Sequence, residues 1–245
     1  MKNEEFSNQF DILVNSYRRF RDFDDKEATD TIEFDEYEKS LYLTKAQEEI
    51  VLSLYNGRNS SLQSFEETEE LRRYLSNLIR EVSLIPETNT SGTPIGIDKT
   101  KKTRFFTLPE NLWFITYESV SISDGKCGEE TSMEVVPVTQ DEYHRIRKNP
   151  FRGANNRRSL RLDLPDNMVE IISKFTVTSY YVRYLMKLEP IVLDDLPDGV
   201  SIEGVSTANT CKVHEGLHQR ILERAVEMAL QSRGYIRNNN NSENR

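Results

Sequence analysis

The sequence predicts an α+β fold with an N-terminal helical bundle, an antiparallel β-sheet region and a C-terminal amphipathic helix. Two observations support this prediction, and both concern how apolar residues are spaced along the 245-residue chain. In the first third and again near the end, apolar residues recur every three or four positions, which is the period of a helix packed on one face. From about residue 104 onward, aromatic and β-branched residues form short runs, which are typical of strands.

The first predicted helix is short and amphipathic. It is centred on Phe10, with Leu13 or Val14 and then Tyr17 on the same face. These positions keep the helical period. Directly after Tyr17 the sequence becomes strongly charged, so the apolar face ends there.

The second predicted helix is stronger and begins near Asp35. Asp35 and Glu38 have the spacing of a capping box, in which two side chains satisfy free backbone N–H groups at a helix start. The apolar face keeps a helical period for three turns. It comprises Leu43, Ala46, Ile50, Val51 and Leu54. The turn signal Asn56-Gly57 is expected to end this helix.

The third predicted helix opens at Ser64, which forms another capping-box pattern with Glu67. Its apolar stripe is long and keeps the helical period. The stripe comprises Leu71, Tyr74, Leu75, Leu78, Ile79 and Val82. Three helices joined by short links predict a helical bundle over residues 1–85.

A change of composition follows the bundle. Residues 86–103 have no periodicity and are rich in Pro, Gly, Thr and Lys, which predicts a linker or mobile loop. The next segment is β-type, with strands predicted over 112–122 and 133–139. The dipeptide 124–125 is Asp-Gly, a turn signal that makes these two strands a hairpin.

A short helix is predicted after that hairpin. Thr139 and Glu142 form a capping box, and Pro150 must end the helix because proline cannot continue it. Residues 159–164 then alternate leucine with polar residues, which predicts a strand with one buried face. Further strands are predicted over 169–173 and 175–188. These elements form a β-rich part over 104–213.

The chain closes with an amphipathic helix over 214–235, for which Gly234 is the stop signal. Its apolar face comprises Leu217, Ile221, Leu222, Ala225, Val226 and Leu230. Such a face predicts that the helix packs on the bundle. The Asn-rich tail, 236–245, is expected to be disordered.

Composition limits the class of protein. Hydrophobic residues make up 36% of the chain, enough for a folded core, and no apolar run reaches the ~18–20 residues needed to span a bilayer. The N-terminal residues lack the apolar region of a secretory signal. Cys127 and Cys211 are expected to be reduced thiols, because a disulfide scaffold would use more cysteine.

Charge is distributed unevenly along the chain. The net charge is −9, and residues 1–90 carry 20 acidic and 11 basic side chains while the remainder carries 21 of each. Within the remainder, residues 142–163 hold seven basic side chains against only Glu142 and Asp163. The basic residues are Arg145, Arg147, Lys148, Arg152, Arg157, Arg158 and Arg161.

Two interpretations of this basic segment are open. Arginine is common at protein interfaces, where it pairs with carboxylates, and the acidic residues 1–90 offer such a surface on a neighbouring copy. A head-to-tail contact of this kind closes into a ring when its rotation permits. Alternatively the cations contact DNA, although Phe151 is the single nearby aromatic residue for base stacking.

Residues 214–218, His-Glu-Gly-Leu-His, match the H-E-x-x-H pattern of zinc peptidases. In that pattern His214 and His218 would hold zinc and Glu215 would act as the base. The sequence offers no suitable third ligand, and Gly216 weakens the helical platform. The favoured interpretation is therefore a helix start, with His214 near the cap and Glu215 in the first turn. Adventitious zinc binding by Cys211, His214 and His218 stays open. No cofactor motif is present, and no enzymatic activity is predicted.

Several strings resemble virion proteins of crAss-like and related short-tailed phages. They are EYEKSLYLTKAQEEIVLSLYNG, FEETEELRRYLSNLI, KNPFRGANNRRSLRLD and YYVRYLMKLEPIVLDDL. The resemblance covers about residues 1–235 and implies a head–tail connector, a ring or adaptor protein with a helical bundle joined to a β-rich part. It also implies a homo-oligomer, twelvefold in portal-associated rings, that contacts the portal protein and adjacent tail rings and surrounds the passing DNA. Such a protein is located at the neck of the virion and assembles in the host cytoplasm.

Overall fold

A computed structural model describes residues 1–21, 32–57, 68–87, 102–123 and 131–235. The predicted turn at 124–125, Cys127, the tail 236–245 and most of the predicted linker lie outside these residues. The helices are α1 (Asn3–Arg21), α2 (Glu36–Tyr55), α3 (Glu69–Leu75), α4 (Gln140–Ile146) and α5 (His218–Ser232). The strands are β1 (Ile79–Leu84), β2 (Lys102–Thr107), β3 (Leu112–Ser123), β4 (Thr131–Pro137), β5 (Arg158–Asp163), β6 (Met168–Ser173) and β7 (Thr176–Met186).

The chain forms two compact units, and the α+β class is confirmed. A helical unit contains Met1–Leu78 and Leu188–Arg245, and a sheet unit contains Ile79–Lys187. The units therefore divide at residues 78 and 187, whereas the sequence suggested domain boundaries near 85 and 213. No helix among the described residues is long and apolar enough to cross a membrane.

Helix α1 buries one apolar face in the helical unit. Phe6, Phe10 and Val14, spaced four residues apart, are fully buried. The choice between Leu13 and Val14 is thus settled for Val14. The prediction that Tyr17 belongs to the same buried face is wrong, because half of its side chain is exposed.

Helix α2 has the predicted capping box. Asp35 Oδ1 accepts a hydrogen bond from Glu38 N at 2.6 Å, and Glu38 Oε2 accepts from Asp35 N at 3.4 Å. Its predicted apolar face is buried except at Ile50, which is partly exposed. The buried members are Leu43, Ala46, Val51 and Leu54.

Helix α3 is shorter than predicted. The expected start at Ser64 lies outside the described residues, and the observed N-cap is Thr68, whose hydroxyl accepts from Leu71 N at 3.2 Å. The prediction that the helix continues to Val82 is wrong, because Ile79–Leu84 form strand β1. Strand β1 pairs with β7, and that long-range partner outweighs the local helical spacing.

Helix α5 packs against α1 and α2, as its apolar face predicts. That face is fully buried from Leu217 to Leu230. At its edge Arg224 binds both carboxylate oxygens of Glu49 in α2, with N···O distances of 3.0 and 2.7 Å. The segment after β7 also belongs to this unit, where Ile191, Val192 and Leu193 are buried.

The described part of the sheet unit contains seven strands in the order β1-β7-β3-β4-β5-β6-β2. Among the described strands, five of the six pairings are antiparallel and β4–β5 is parallel. The parallel pair arises because α4 connects β4 to β5 as a crossover, whereas a tight turn would make them antiparallel. The sheet also curls, since Glu87 N, just after β1, donates to Phe105 O of β2 at 2.8 Å.

Strand β5 departs from the predicted pattern. Alternation over 159–164 predicted one buried and one exposed face, but Ser159 and Arg161 are buried along with Leu160 and Leu162. One side of the strand faces a small apolar cluster with Tyr143 and other residues of α4. Because β5 is an interior strand of a curled sheet, both of its faces are covered.

Candidate functional site

A loop of residues 147–157, here called the basic loop, joins α4 to β5. Its first turn is organised by Asn149, whose Oδ1 accepts from the backbone N–H groups of Phe151 at 2.8 Å and Arg152 at 3.1 Å. The carbonyl of Asn149 also accepts from Gly153 N at 2.8 Å. An asparagine side chain that replaces a backbone partner in this way fixes a turn.

A second asparagine fixes the end of the basic loop. Asn155 Oδ1 accepts from Arg157 N at 2.8 Å and Arg158 N at 3.1 Å, and Asn155 N donates to Arg158 O at 2.9 Å. The Asn155 side-chain amide donates to Pro150 O at 3.3 Å, which ties the two turns together. The loop therefore presents its side chains from a defined backbone.

Gly153 lies where the basic loop turns back against α4. A Cβ atom at this position would lie 2.7 Å from Asn149 O and 2.9 Å from Ile146 O. Both contacts are closer than real Cβ atoms approach backbone oxygen, so a side chain here would displace the loop.

Six of the seven predicted cations lie together on or beside the basic loop. We call them the basic surface: Arg145, Arg147, Lys148, Arg152, Arg157 and Arg158. Arg158 is partly exposed and the other five are exposed. Within the part of the chain that the structure describes, none of the six side chains forms an ion pair or a hydrogen bond. Phe151 lies among them with 84% of its surface exposed.

The seventh cation, Arg161, is buried inside the sheet unit. Its Nη1 donates to Glu118 Oε1 at 2.8 Å, and Tyr180 Oη donates to Glu118 Oε2 at 2.5 Å. Its Nε lies 2.9 Å from Asp163 Oδ1, although without hydrogen-bond geometry. Burial raises the pKa of Glu118, and the charge of Arg161 opposes that rise. The Arg161 side chain therefore forms its contacts inside the sheet unit.

The residues of the H-E-x-x-H match begin the last helix, as the favoured interpretation predicts. His214 is the N-cap of a short 3₁₀ turn, Glu215–Leu217, and its Nδ1 accepts from Gly216 N at 3.1 Å. The His214 ring packs against Tyr74, with ring centroids 5.5 Å apart. Since α5 begins only at His218, the two histidines do not occupy successive turns of one α-helix.

Both ring nitrogens of His218 already have partners. Nε2 donates to Val213 O at 3.0 Å, and Nδ1 accepts from the amino group of Met1 at 2.6 Å. Burial lowers the pKa of His218, which favours this neutral form. Cys211 donates to Gln47 Oε1 at 3.2 Å, and burial raises its pKa to about 11.

These three side chains do not form a metal site. Each is engaged with a different partner, and no group of three His, Cys, Asp or Glu side chains suited to a metal ion occurs among the described residues. A zinc hydrolase needs three protein ligands that converge on one open position. The residues present do not fit that requirement.

Four described carboxylates of α1 and α2 pair with cations of the helical unit. Lys39 is buried between α1 and α2, and its Nζ binds Asp11 at 2.7 Å and Glu36 at 2.9 Å. Further pairs are Glu38 with Arg233 and Glu49 with Arg224. Several other acidic residues lie in 22–31 and 58–67, outside the described residues. Sequence spacing gave no signal for the pairs of Lys39 with Asp11, Arg224 with Glu49 and Arg233 with Glu38, because their partners are distant along the chain.

Comparisons with known proteins agree over nearly the whole chain. A family model described as phage tail ring protein 3/4 matches residues 1–241. A protein named Ring protein 3, from Bacteroides phage crAss001, is 44% identical over 243 residues, which is 98% of this chain and 99% of that protein. Ring protein 4/5 of the same phage is 31% identical over 238 residues, which is 94% of this chain and 92% of that protein.

Proposed function

The chain belongs to the phage tail ring protein 3/4 family, and from that premise we propose that it forms a ring at the portal–tail junction and helps to build the conduit for DNA exit. The predicted resemblance to virion proteins of crAss-like phages is confirmed. Family membership implies a structural component of the virion tail. Both relatives are named as ring proteins, which favours a structural role over catalysis.

The observation that supports self-assembly is the basic surface. Six cations that are unpaired among the described residues lie on or beside the basic loop, whose backbone is fixed, together with an exposed Phe151, in a chain of net charge −9. We propose that this surface contacts an acidic surface of a neighbouring copy. Such a contact joins two different patches, so it repeats from subunit to subunit and closes into a ring when the rotation permits.

The energy of the contact comes from repetition and from apolar burial. An exposed ion pair contributes only about 0–1 kcal/mol. A closed ring repeats each pair once per subunit, and buried apolar area adds the larger share. Arginine and aromatic side chains are the residues that most often dominate interface energy, and the basic surface offers both.

A charge reversal tests this proposal. We expect Arg157→Glu combined with Arg158→Glu to prevent ring assembly while the monomer stays folded. Native mass spectrometry measures assembly and circular dichroism measures folding. The matched control reverses two exposed cations elsewhere, Lys45→Glu with Arg104→Glu. Normal rings in the first variant would contradict the proposal.

The symmetry and the partners belong to the same proposal. The ring is proposed to be twelvefold and to contact the portal protein and an adjacent tail ring. Native mass spectrometry of the purified chain, alone and mixed with the portal protein of the same phage, gives both answers. A mass other than twelve subunits would contradict the symmetry, and the absence of a mixed complex would contradict the portal contact.

The basic surface also supports a second candidate function, contact with the passing DNA. Clustered unpaired cations are what phosphate binding requires. If this contact exists, fluorescence anisotropy should detect binding to duplex DNA that weakens steeply as salt is raised. Binding that is insensitive to salt, or equal in Arg157→Glu/Arg158→Glu, would contradict it.

A further inference from the structure

We infer that the basic surface of one copy docks on an acidic hairpin of the neighbouring copy, residues 194–208, and not on the acidic helices. This inference rests on the proposed function, because it identifies the partner surface for the same contact. Three properties of the hairpin support it: a backbone fixed by hydrogen bonds, attachment to the helical unit, and three aspartates that form no ion pair among the described residues.

The tip of the acidic hairpin is a tight two-residue turn. Ile202 and Val205 exchange two backbone hydrogen bonds, each 2.9 Å long. The two residues between them, Glu203 and Gly204, have φ angles of 49° and 85°. Positive φ at both central positions is the turn that matches the twist of paired strands. The turn holds Glu203 at the tip.

The base of the acidic hairpin is also fixed. Leu196 N donates to Ser206 O at 2.8 Å, and Asp195 Oδ1 accepts from Ala208 N at 2.8 Å. Just before the hairpin, Leu193 N donates to Ser40 Oγ of α2 at 3.0 Å. The side chain of Leu193 is buried. The hairpin is therefore attached to the helical unit through α2.

Among the described residues, the three aspartates of the acidic hairpin have no cationic partner. Asp194, Asp195, Asp198 and Glu203 are exposed, and residues 188–211 contain no lysine or arginine. Among the described residues, the first three of these carboxylates form no ion pair. The carboxylates of α1 and α2 described above are instead largely paired with cations of their own unit.

The basic surface is the matching counterpart. No acidic residue occurs between positions 143 and 162, and Phe151 supplies an exposed apolar contact among the cations. The backbones of both surfaces are already fixed by hydrogen bonds. Docking would therefore restrict little additional backbone motion, which reduces the entropic cost of binding. One surface lies in each compact unit of the chain, so every copy carries both halves of a head-to-tail contact.

The test uses two complementary variants of the full chain. The loop variant carries Arg147→Glu and Arg157→Glu, and the hairpin variant carries Asp194→Lys and Asp198→Lys. We expect each variant alone to lose assembly, with self-association weakened ~10- to 100-fold at low ionic strength, where exposed charges are least screened. An equimolar mixture should assemble again, because each reversed loop then meets a reversed hairpin and each native loop meets a native hairpin.

Native mass spectrometry measures how many subunits, and which variants, each assembly contains. The restored assemblies should contain the two variants in equal numbers, which the variants' different masses reveal. If the wild-type chain stays monomeric, the proposed ring itself fails. If the loop variant assembles alone, the ring stands but the basic surface is not its contact, and the inference is overturned. If the loop variant is monomeric but the hairpin variant assembles, only the docking site is wrong.

Two further outcomes complete the test. If both variants are monomeric and their mixture does not assemble, the two surfaces do not meet and the inference is overturned. The control variant Glu4→Lys with Glu110→Lys changes the charge equally at exposed acidic residues elsewhere. It should assemble like the wild type, and its failure would show that net charge, not the hairpin, governs assembly.

Discussion

Arg161 on β5 and Glu118 on β3 form an ion pair of 2.8 Å whose two side chains are only 10% and 8% exposed. The pair lies inside the sheet unit, and Tyr180 on β7 donates to the second oxygen of the same carboxylate. Three strands are thus connected through one carboxylate. The pair separates Arg161 from the six cations of the basic surface, although all seven are close in sequence.

We predict that Arg161→Ala destabilises the sheet unit by about 3–5 kcal/mol, because it leaves a buried carboxylate without its cation. Denaturation by guanidinium chloride measures the loss. The matched control is Arg157→Ala, which removes an exposed arginine and should change stability by less than about 0.5 kcal/mol. Adding Glu118→Gln to Arg161→Ala should recover part of the loss, since the amide carries no charge and still accepts from Tyr180. Equal losses for the two single arginine variants would contradict this account.

The same ion pair shows where sequence information ends. The predicted capping boxes at Asp35 and Thr139 depend on residues three positions apart. Asp35 forms the complete box, and at Thr139 the hydroxyl caps Glu142 N without the reciprocal bond. Arg161 and Glu118 are 43 residues apart, so strand alternation predicted an exposed Arg161. The second half of the predicted third helix likewise forms strand β1, because Val82 pairs with Val182 on β7. The cations of the basic surface could be identified from charge alone, but the acidic hairpin could not, since its free charge depends on which carboxylates find partners.

The shape of the basic loop should depend on Gly153. We predict that Gly153→Ala destabilises the fold by about 1–3 kcal/mol, because its Cβ meets two backbone oxygens that cannot move independently. Assembly should weaken as well, since the loop is displaced. The control Lys148→Ala changes an exposed neighbour and should leave the unfolding midpoint nearly unchanged. Unaltered stability in Gly153→Ala would mean that the loop relaxes freely.

Cys211 should react slowly with thiol reagents in the folded protein. Burial raises the pKa of the Cys211 thiol to about 11, so little thiolate is present at neutral pH. The thiol also donates a hydrogen bond to Gln47 Oε1. We predict that a disulfide reagent modifies Cys211 at least roughly a hundredfold faster in denaturant than in buffer. The measurement uses a Cys127→Ser variant, in which Cys211 is the remaining thiol. Equal rates in both conditions would show that this part of the helical unit opens readily.

The helical unit should lose stability in mild acid because of His218. Burial lowers the pKa of this imidazole, so its contribution is fully retained above the unfolded-state pKa of about 6.5 and is lost as the pH falls through the folded-state pKa. Protonation would remove the Nδ1 acceptor for the Met1 amino group and add charge beside Phe6. The carboxylate of Glu215 opposes the downward shift in the pKa of His218, and His214 adds to it.

The prediction is tested by measuring the free energy of unfolding between about pH 7.5 and pH 5. His218→Gln keeps a donor for Val213 O but cannot gain a proton, so its stability should fall less over this range than that of the wild type. His144→Asn removes an exposed imidazole from α4 and should keep the wild-type pH dependence. If His218→Gln and the wild type lose stability in parallel, a different group is responsible. The histidine that suggested a zinc ligand would then have no role in the acid sensitivity of the fold.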